Sequence, residues 1–474
     1  MSGLERKIVS YGALATGAIL GIKIWNGIEE RQKYNDDLKS ALSVTSEDVA
    51  AFQAKEQEIT SVNIDDVVPE FERTAEDVLI SVIYPPYGDN LLAIIDDIYS
   101  PMINSLPDYS NIHFIIQNNP DEKILESIKK LFPKRQIFIY PTFNSVIGPM
   151  GYVQDFGEAT GSRNSAGQFE IINHPSYFLD KRYAPVAVEV PDDPYLADEI
   201  LAEKYPSVFK TPHVDSFLTG GNTSFGRLPN GEKCVFINKS DIAMFIMDKF
   251  KIPFDSSLSK QTYEEAKQMY KKAFGTENII VIDEENFLNK MEGESMNQSA
   301  APNIFFHNDM IFSQSGNKIF LSSPGLSAEI MGFKYNQDID EMFERIGKQF
   351  KDLGFAVVEV PFANNDLNYV NVIPYTDKNT HKPTVIFPSY HFDPEDIKGK
   401  YMDEVMLNYA IKETFDRAVQ IYNDNGIDVK IAPYFRDSKS VAGDMISSRG
   451  VFFQNTTVKT GFKGGLHCRL QVLQ

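Results

Sequence analysis

Along most of the chain, segments with apolar residues every third or fourth position alternate with short, nearly continuous runs of Val, Ile and Phe. The first pattern predicts amphipathic helices and the second predicts β-strands. Residues 90–106 lead into Ile112–Ile116, 121–132 into 136–141, and 262–274 into 278–282. Residues 339–353 lead into 355–361, and 404–425 into 428–433. Gly275, Gly354 and Gly426 each follow the last helical residue of a unit, where a left-handed cap suits glycine. Further strands are expected at 234–238, 303–306, 318–322, 369–373, 384–387 and 450–453. Five helix–strand units with extra strands make an α/β fold. They allow either ordinary alternation or a closed, pseudo-symmetric ring in which motifs from different units converge.

The N-terminal region breaks this pattern. Glu5-Arg6-Lys7 precedes an uncharged, mostly apolar run from Ile8 to Ile22, followed by Lys23 and Trp25. As a helix this run spans about 22 Å, short of the roughly 30 Å of a hydrocarbon core unless Lys23 snorkels and Trp25 sits at the interface. Ala13, Gly17 and Gly21 repeat the small-residue spacing of packed membrane helices. The expected organisation is an apolar helix at 1–28, a polar helical linker at 29–66 and a catalytic domain at 67–474. The helix is expected to anchor the protein to a membrane or to belong to an exported chain; the rival is a helix docked on the domain of a cytoplasmic protein.

Charge and cysteine usage narrow the partners. The 474-residue chain carries a net charge of −20, which disfavours nucleic acid and favours cationic small molecules or peptides. Oligomeric state is left open by the sequence. Only two cysteines occur, Cys234 and Cys468, so no disulfide framework is expected. No Cys-x-x-Cys or His-Glu-x-x-His spacing occurs, so a zinc site is not expected, and neither a phosphate-binding glycine loop nor a Gly-x-Ser-x-Gly elbow is present.

Four stretches could carry chemistry. Gly464-Gly465-Leu466-His467-Cys468 presents one thiol in a short apolar tail, either a small core hydrophobe or a nucleophile. In Phe305-Phe306-His307-Asn308-Asp309-Met310, a strand would put His307 and Asp309 on one face, as a buried structural pair or a working one. Gln154-Asp155-Phe156-Gly157 offers a carboxylate at a turn, and Leu367–Ile373 contains Asn371, a structural hydrogen-bonding candidate. His213-Val214-Asp215 is read as structural.

Taken in order, Gln154-Asp155-Phe156-Gly157, Gly220-Gly221-Asn222, His307-Asn308-Asp309 and Gly464-Gly465-Leu466-His467-Cys468 resemble motifs of agmatine deiminases and of bacterial, Porphyromonas-type peptidylarginine deiminases. The resemblance covers roughly 67–474. It implies the pentein fold, a five-bladed α/β propeller. It also implies a deiminase that converts the guanidinium of agmatine, arginine or an arginine-containing peptide to a ureido group and ammonia. By resemblance, Asp155 and Asp309 hold the guanidinium, Cys468 attacks its carbon, and His307 moves the protons. Asn222 and Asn371 join the substrate-binding set. No metal or organic cofactor is implied. The chain departs from the family at Tyr152 and Gln154, where many members have Trp and Arg, and at Thr219, where a glutamate orients the histidine. Two alternatives stay open: an amidinotransferase, in which an amine replaces water, and a non-catalytic binding protein on the same fold.

Overall fold

The computed structural model describes residues 58–82, 91–117, 122–142, 157–174, 197–218, 220–252, 257–291, 307–331, 337–364, 367–390, 402–434 and 470–474. It is a mixed α/β protein built from small separate sheets. Numbered in chain order, the N-terminal strand β1 (Ile59–Thr60) pairs in parallel with β8 (His213–Val214). One motif then recurs five times among the described residues: two antiparallel strands, with a third added in parallel beside the second.

In the first such sheet β5 (Glu158–Arg163) and β6 (Phe169–Ile172) form the hairpin and β7 (Phe209–Lys210) the parallel strand. The second joins β9 (Thr223–Arg227), β10 (Lys233–Ile237) and β11 (Ile279–Val281). The third joins β12 (Phe312–Ser315), β13 (Lys318–Ser323) and β14 (Ala356–Asn364), with β15 (Leu367–Asn368) on its edge. The fourth joins β16 (Ile373–Thr376), β17 (Pro383–Tyr390) and β18 (Asp428–Tyr434). In the fifth, β2 (Asp77–Val82), β3 (Asn111–Gln117) and β4 (Ile137–Thr142) run parallel, and the antiparallel partner of β2 is β19 (Leu470–Val472) from the other end of the chain.

The parallel step demands a crossover, and helices supply it. The helix Lys260–Phe274, between β10 and β11, illustrates why. Ser259 caps its start, accepting from the Thr262 N–H at 3.1 Å. Tyr263, Ala266, Tyr270, Ala273 and Phe274 form its buried stripe, and Gly275 ends it at φ +60°. The expected strands at 112–116, 136–141, 278–282, 355–361 and 428–433 are all present, each led by its helix. The first helix is irregular: a π-helical turn at Ile95–Tyr99 separates Leu91–Ile94 from Ser100–Ser105. The strand expected at 369–373 does not form: buried Tyr369–Val372 connect β15 to β16, and only Ile373 belongs to a strand. The strands expected at 303–306 and 450–453 lie outside the described residues, as does the apolar run 8–22. Among the described residues, no helix is long and apolar enough to cross a membrane.

Packing begins ahead of the boundary expected at 67. Val62, Ile64 and Val67 are buried in the core beneath β9, β10 and the 260–274 helix. From there the chain runs past several sheets. Lys233 donates to the Asp65 and Val67 carbonyls, Glu72 pairs with Arg227 at 2.8 Å, and Thr376 donates to Phe71 and Arg73 carbonyls. The polar residues between the apolar ones concealed this strap, because each buried position stands alone.

Candidate active site

His307, Asn308 and Asp309 are not in a strand. Asn308–Ile311 forms one helical turn with extended His307 at its N-cap, and the chain straightens into β12 at Phe312. Residues two apart on a helix do not share a face. His307 and Asp309 nonetheless reach the same place, because His307 precedes the turn. A Cβ added at Gly221 would lie 3.0 Å from His307 Nδ1 and 3.4 Å from Asp309 Oδ2. The absence of a side chain at Gly221, held at φ +81°, is what lets both approach. The Asp309 N–H donates to the Gly221 carbonyl at 3.1 Å. His307 and Asp309 are half-buried, while Asn308 and Met310 point into the protein.

The buried side of this turn is tied to the second sheet. Asn308 Nδ2 donates to the Asn222 carbonyl at 2.5 Å, and Asn238 Nδ2 donates to Asn308 Oδ1 at 3.1 Å. Asn222 itself is buried, and its Nδ2 donates to Asp241 Oδ1 at 2.9 Å. Asn371 is fully buried and donates to the Met310 sulfur at 3.3 Å. Asn368 donates to the Met310 carbonyl at 2.6 Å. The two asparagines expected at the substrate thus sit behind the turn, one on each side of it. Below Gly221 and Asp309, a cavity of about 30 Å³ is lined also by Thr223, Phe312, Val370 and Glu70.

Asp155 and Cys468 lie outside the described residues, as do Tyr152, Gln154 and Thr219. The segments that follow Asp155 and Cys468 are joined. Gln471 Nε2 donates to the Gly157 carbonyl at 2.8 Å. Arg73 donates to the Val472 and Ala159 carbonyls and to Glu158 Oε1 at 3.1 Å, all buried. Gly157 lies so close to Ile172 that a Cβ would fall 2.5 Å from its carbonyl oxygen. Ile172 in turn packs in one core with Leu218 and Phe225, and Leu218 lies just before Gly220-Gly221.

No protein-family model, characterised protein or solved structure matches this chain.

Other titratable groups are accounted for by structure. Cys234 is fully buried on β10, and burial raises its thiol pKa, so it is a small core hydrophobe. Asp215 is paired with Lys249 at 2.7 Å, in keeping with a structural His213-Val214-Asp215. Among the described residues no group of three or more His, Cys, Asp or Glu could hold a metal ion.

Among the buried polar groups that sequence reasoning did not single out are three with a titratable member paired across the fold. His113 Nε2 donates to Asp77 Oδ1 at 2.8 Å, and the Tyr140 hydroxyl lies 3.0 Å from Nδ1. Burial alone would raise the Asp77 pKa. Its bonds to His113 and Asn111 outweigh that and hold it below the usual carboxylate value. His174 donates from Nδ1 to the Leu218 carbonyl at 2.9 Å, and burial pushes its pKa down to about 4. The Arg73–Glu158 pair is the third. No spacing could have revealed these groups, because their partners lie on other strands or segments.

Proposed function

We propose that this chain is a guanidine-modifying hydrolase of the pentein type, a deiminase acting on an arginine-like substrate. The five sheets of like topology would be the blades of a propeller closed by β19 on β2. The observation that carries the reading is the meeting of His307 and Asp309 over Gly221, which brings together two motifs about 85 residues apart in sequence. The joining of the segments after Asp155 and Cys468 through Gln471 and Arg73 supports it, since both motifs are needed at one site.

In this reading Asp155 and Asp309 take the planar cation through charge-assisted hydrogen bonds. The Cys468 thiolate forms a bond to the guanidinium carbon. His307 gives its proton to the departing nitrogen, the C–N bond breaks and ammonia leaves. The same imidazole then takes a proton from water, whose oxygen attacks the thiouronium carbon. The S–C bond breaks and the thiolate returns; the proton left on the attacking oxygen passes to solvent, where the released ammonia takes it up as ammonium, and the neutral ureido product departs. No oxidant or reductant is required.

An arginine-like haloamidine tests this directly. One equivalent should be incorporated, at Cys468, and Cys468→Ser should abolish both labelling and ureido formation without changing the melting temperature. Labelling without ureido product, but with transfer to an added amine, would identify an amidinotransferase. Absence of labelling and turnover with agmatine, arginine and arginyl peptides would leave a binding protein and defeat the proposal.

A further inference from the structure

Asn308 is the one residue of the His-Asn-Asp turn that faces away from the candidate site, and it is 1% exposed. Both ends of its amide are used. Nδ2 donates to the Asn222 carbonyl, next to Gly221, and Oδ1 accepts from Asn238. The Asn222 carbonyl also accepts the Asn238 N–H at 2.9 Å. Asn238, Asn308 and the Asn222 carbonyl therefore close a triangle of hydrogen bonds between β9, β10 and the turn.

This triangle stands on a firm base. Asn238 begins the helix Lys239–Lys249, and its Oδ1 accepts from both the backbone and the hydroxyl of Ser240 at 3.0 Å. Lys239 is fully buried and donates to Asp283 at 3.0 Å; Arg345 pairs with the other oxygen of Asp283 at 3.2 Å. Asp241 holds the Asn222 side chain. Asn368 grips the Met310 carbonyl from the opposite side. A helical turn of four residues cannot hold its own geometry, because nucleation is unfavourable. Here the position of His307 and Asp309 is dictated from outside the turn.

We propose that Asn308 and Asn238 are positioning residues: acting as one clamp, they set His307 and Asp309 against Gly221. This deepens the deiminase reading and rests on it for its catalytic consequence. The clamp touches no substrate, so its loss should act through misplacement, to which bond-making steps are more sensitive than ground-state binding.

The test uses the full chain with Asn308→Ala, Asn238→Ala and the double variant. Each single change should lower kcat for the preferred guanidine by about 10- to 100-fold, with a rise in KM smaller than the roughly tenfold expected for Asp309→Asn, because loss of the clamp displaces that carboxylate but does not remove it. The double variant should be little worse than the poorer single, because one clamp is broken once. A full product of the two single effects, or folded variants with unchanged kcat, would overturn the proposal. A readout independent of turnover is the ring resonances of His307, assigned with His307→Asn. They should move in Asn238→Ala, although residue 238 is remote in sequence. Unmoved resonances in a folded variant would overturn the clamp even if the protein proves not to be a deiminase. Moved resonances in a protein without turnover would uphold the clamp while the deiminase reading fails. Should Asn238→Ala fail to fold, Asn238→Ser gives the same readout with a smaller cavity.

Discussion

Two His–Asp pairs among the described residues, His113 with Asp77 and His307 with Asp309, are built in opposite ways. His113 and Asp77 sit on neighbouring parallel strands. They are bonded at 2.8 Å, and His113 is stacked on Phe138 with its ring centroid 4.7 Å away. Tyr140 completes the network, and the His113 ring is 2% exposed. His307 and Asp309 come from a short turn, half-buried, meeting across a glycine rather than across a strand ladder. The first pair uses its polar atoms on each other and on Tyr140 and Asn111. The second directs them to a shared location beside a residue that has no side chain. A buried His–Asp pair therefore says little about chemistry until its surroundings are known.

Exchanging the effects of the two histidines is the sharpest way to break this comparison. His113→Ala should cost about 3–5 kcal/mol of stability, since it leaves Asp77 buried without its main partner and opens a cavity. The folded fraction should keep its specific activity. His307→Asn should do the reverse, lowering kcat by about 10²- to 10⁴-fold with little change in the denaturation midpoint. If His113→Ala proved as stable as the parent and inactive, the two pairs would have been assigned the wrong way round.

A third histidine sharpens the contrast through pH. His174 has its pKa lowered to about 4 by burial, so the unfolded chain takes up a proton near pH 6.5 that the folded one refuses. The stability this histidine contributes is complete above about pH 6.5 and is lost as pH falls toward 4, in all about 3 kcal/mol. Chemical denaturation across that window should show the slope, and His174→Gln should flatten it. An identical slope in the variant would assign the acid sensitivity elsewhere.

Within the candidate site the effects should divide. If the chain is the deiminase proposed, Asp309→Asn should raise KM by about 10-fold or more, as a charge-assisted bond to a guanidinium substrate would be lost, whereas His307→Asn should lower mainly kcat. Steady-state kinetics on both variants separate the roles; equal effects on KM would merge them. The smallest change is Gly221→Ala. Its positive φ predicts a loss of about 1–2 kcal/mol. A Cβ 3.0 Å from His307 Nδ1 should also displace that ring, and a thermal melt paired with a kcat measurement would register both.

The helix–strand units were legible because periodicity survives in any context that buries one face. The helix Lys260–Phe274 shows cap, stripe and terminating glycine in sequence order. Residues 58–76 were not legible, since Val62, Ile64 and Val67 are separated by polar residues and are buried by partners far along the chain. At the candidate site, His307 and Asp309 were found from their types, but for a reason the structure replaces: a turn and a glycine bring them together, not the pleat of a strand. Asn308 gave no sign of its bonding, because its two partners, Asn222 just before β9 and Asn238 just after β10, lie about 70 to 86 residues away in sequence.

The pairing of β19 with β2 has a consequence for how the protein comes to exist. Asp77–Val82 is made early, and its edge hydrogen-bonds to residues 470–472, nearly the whole chain later. During synthesis that edge stays open while the other sheets form, a long-lived invitation to pair with the wrong strand. A contact so distant in sequence is also slow to find. Completion of this sheet thus waits for residues 470–472, and a chaperone that shields Asp77–Val82 until they emerge should raise the yield of folded protein more than one acting on any later strand.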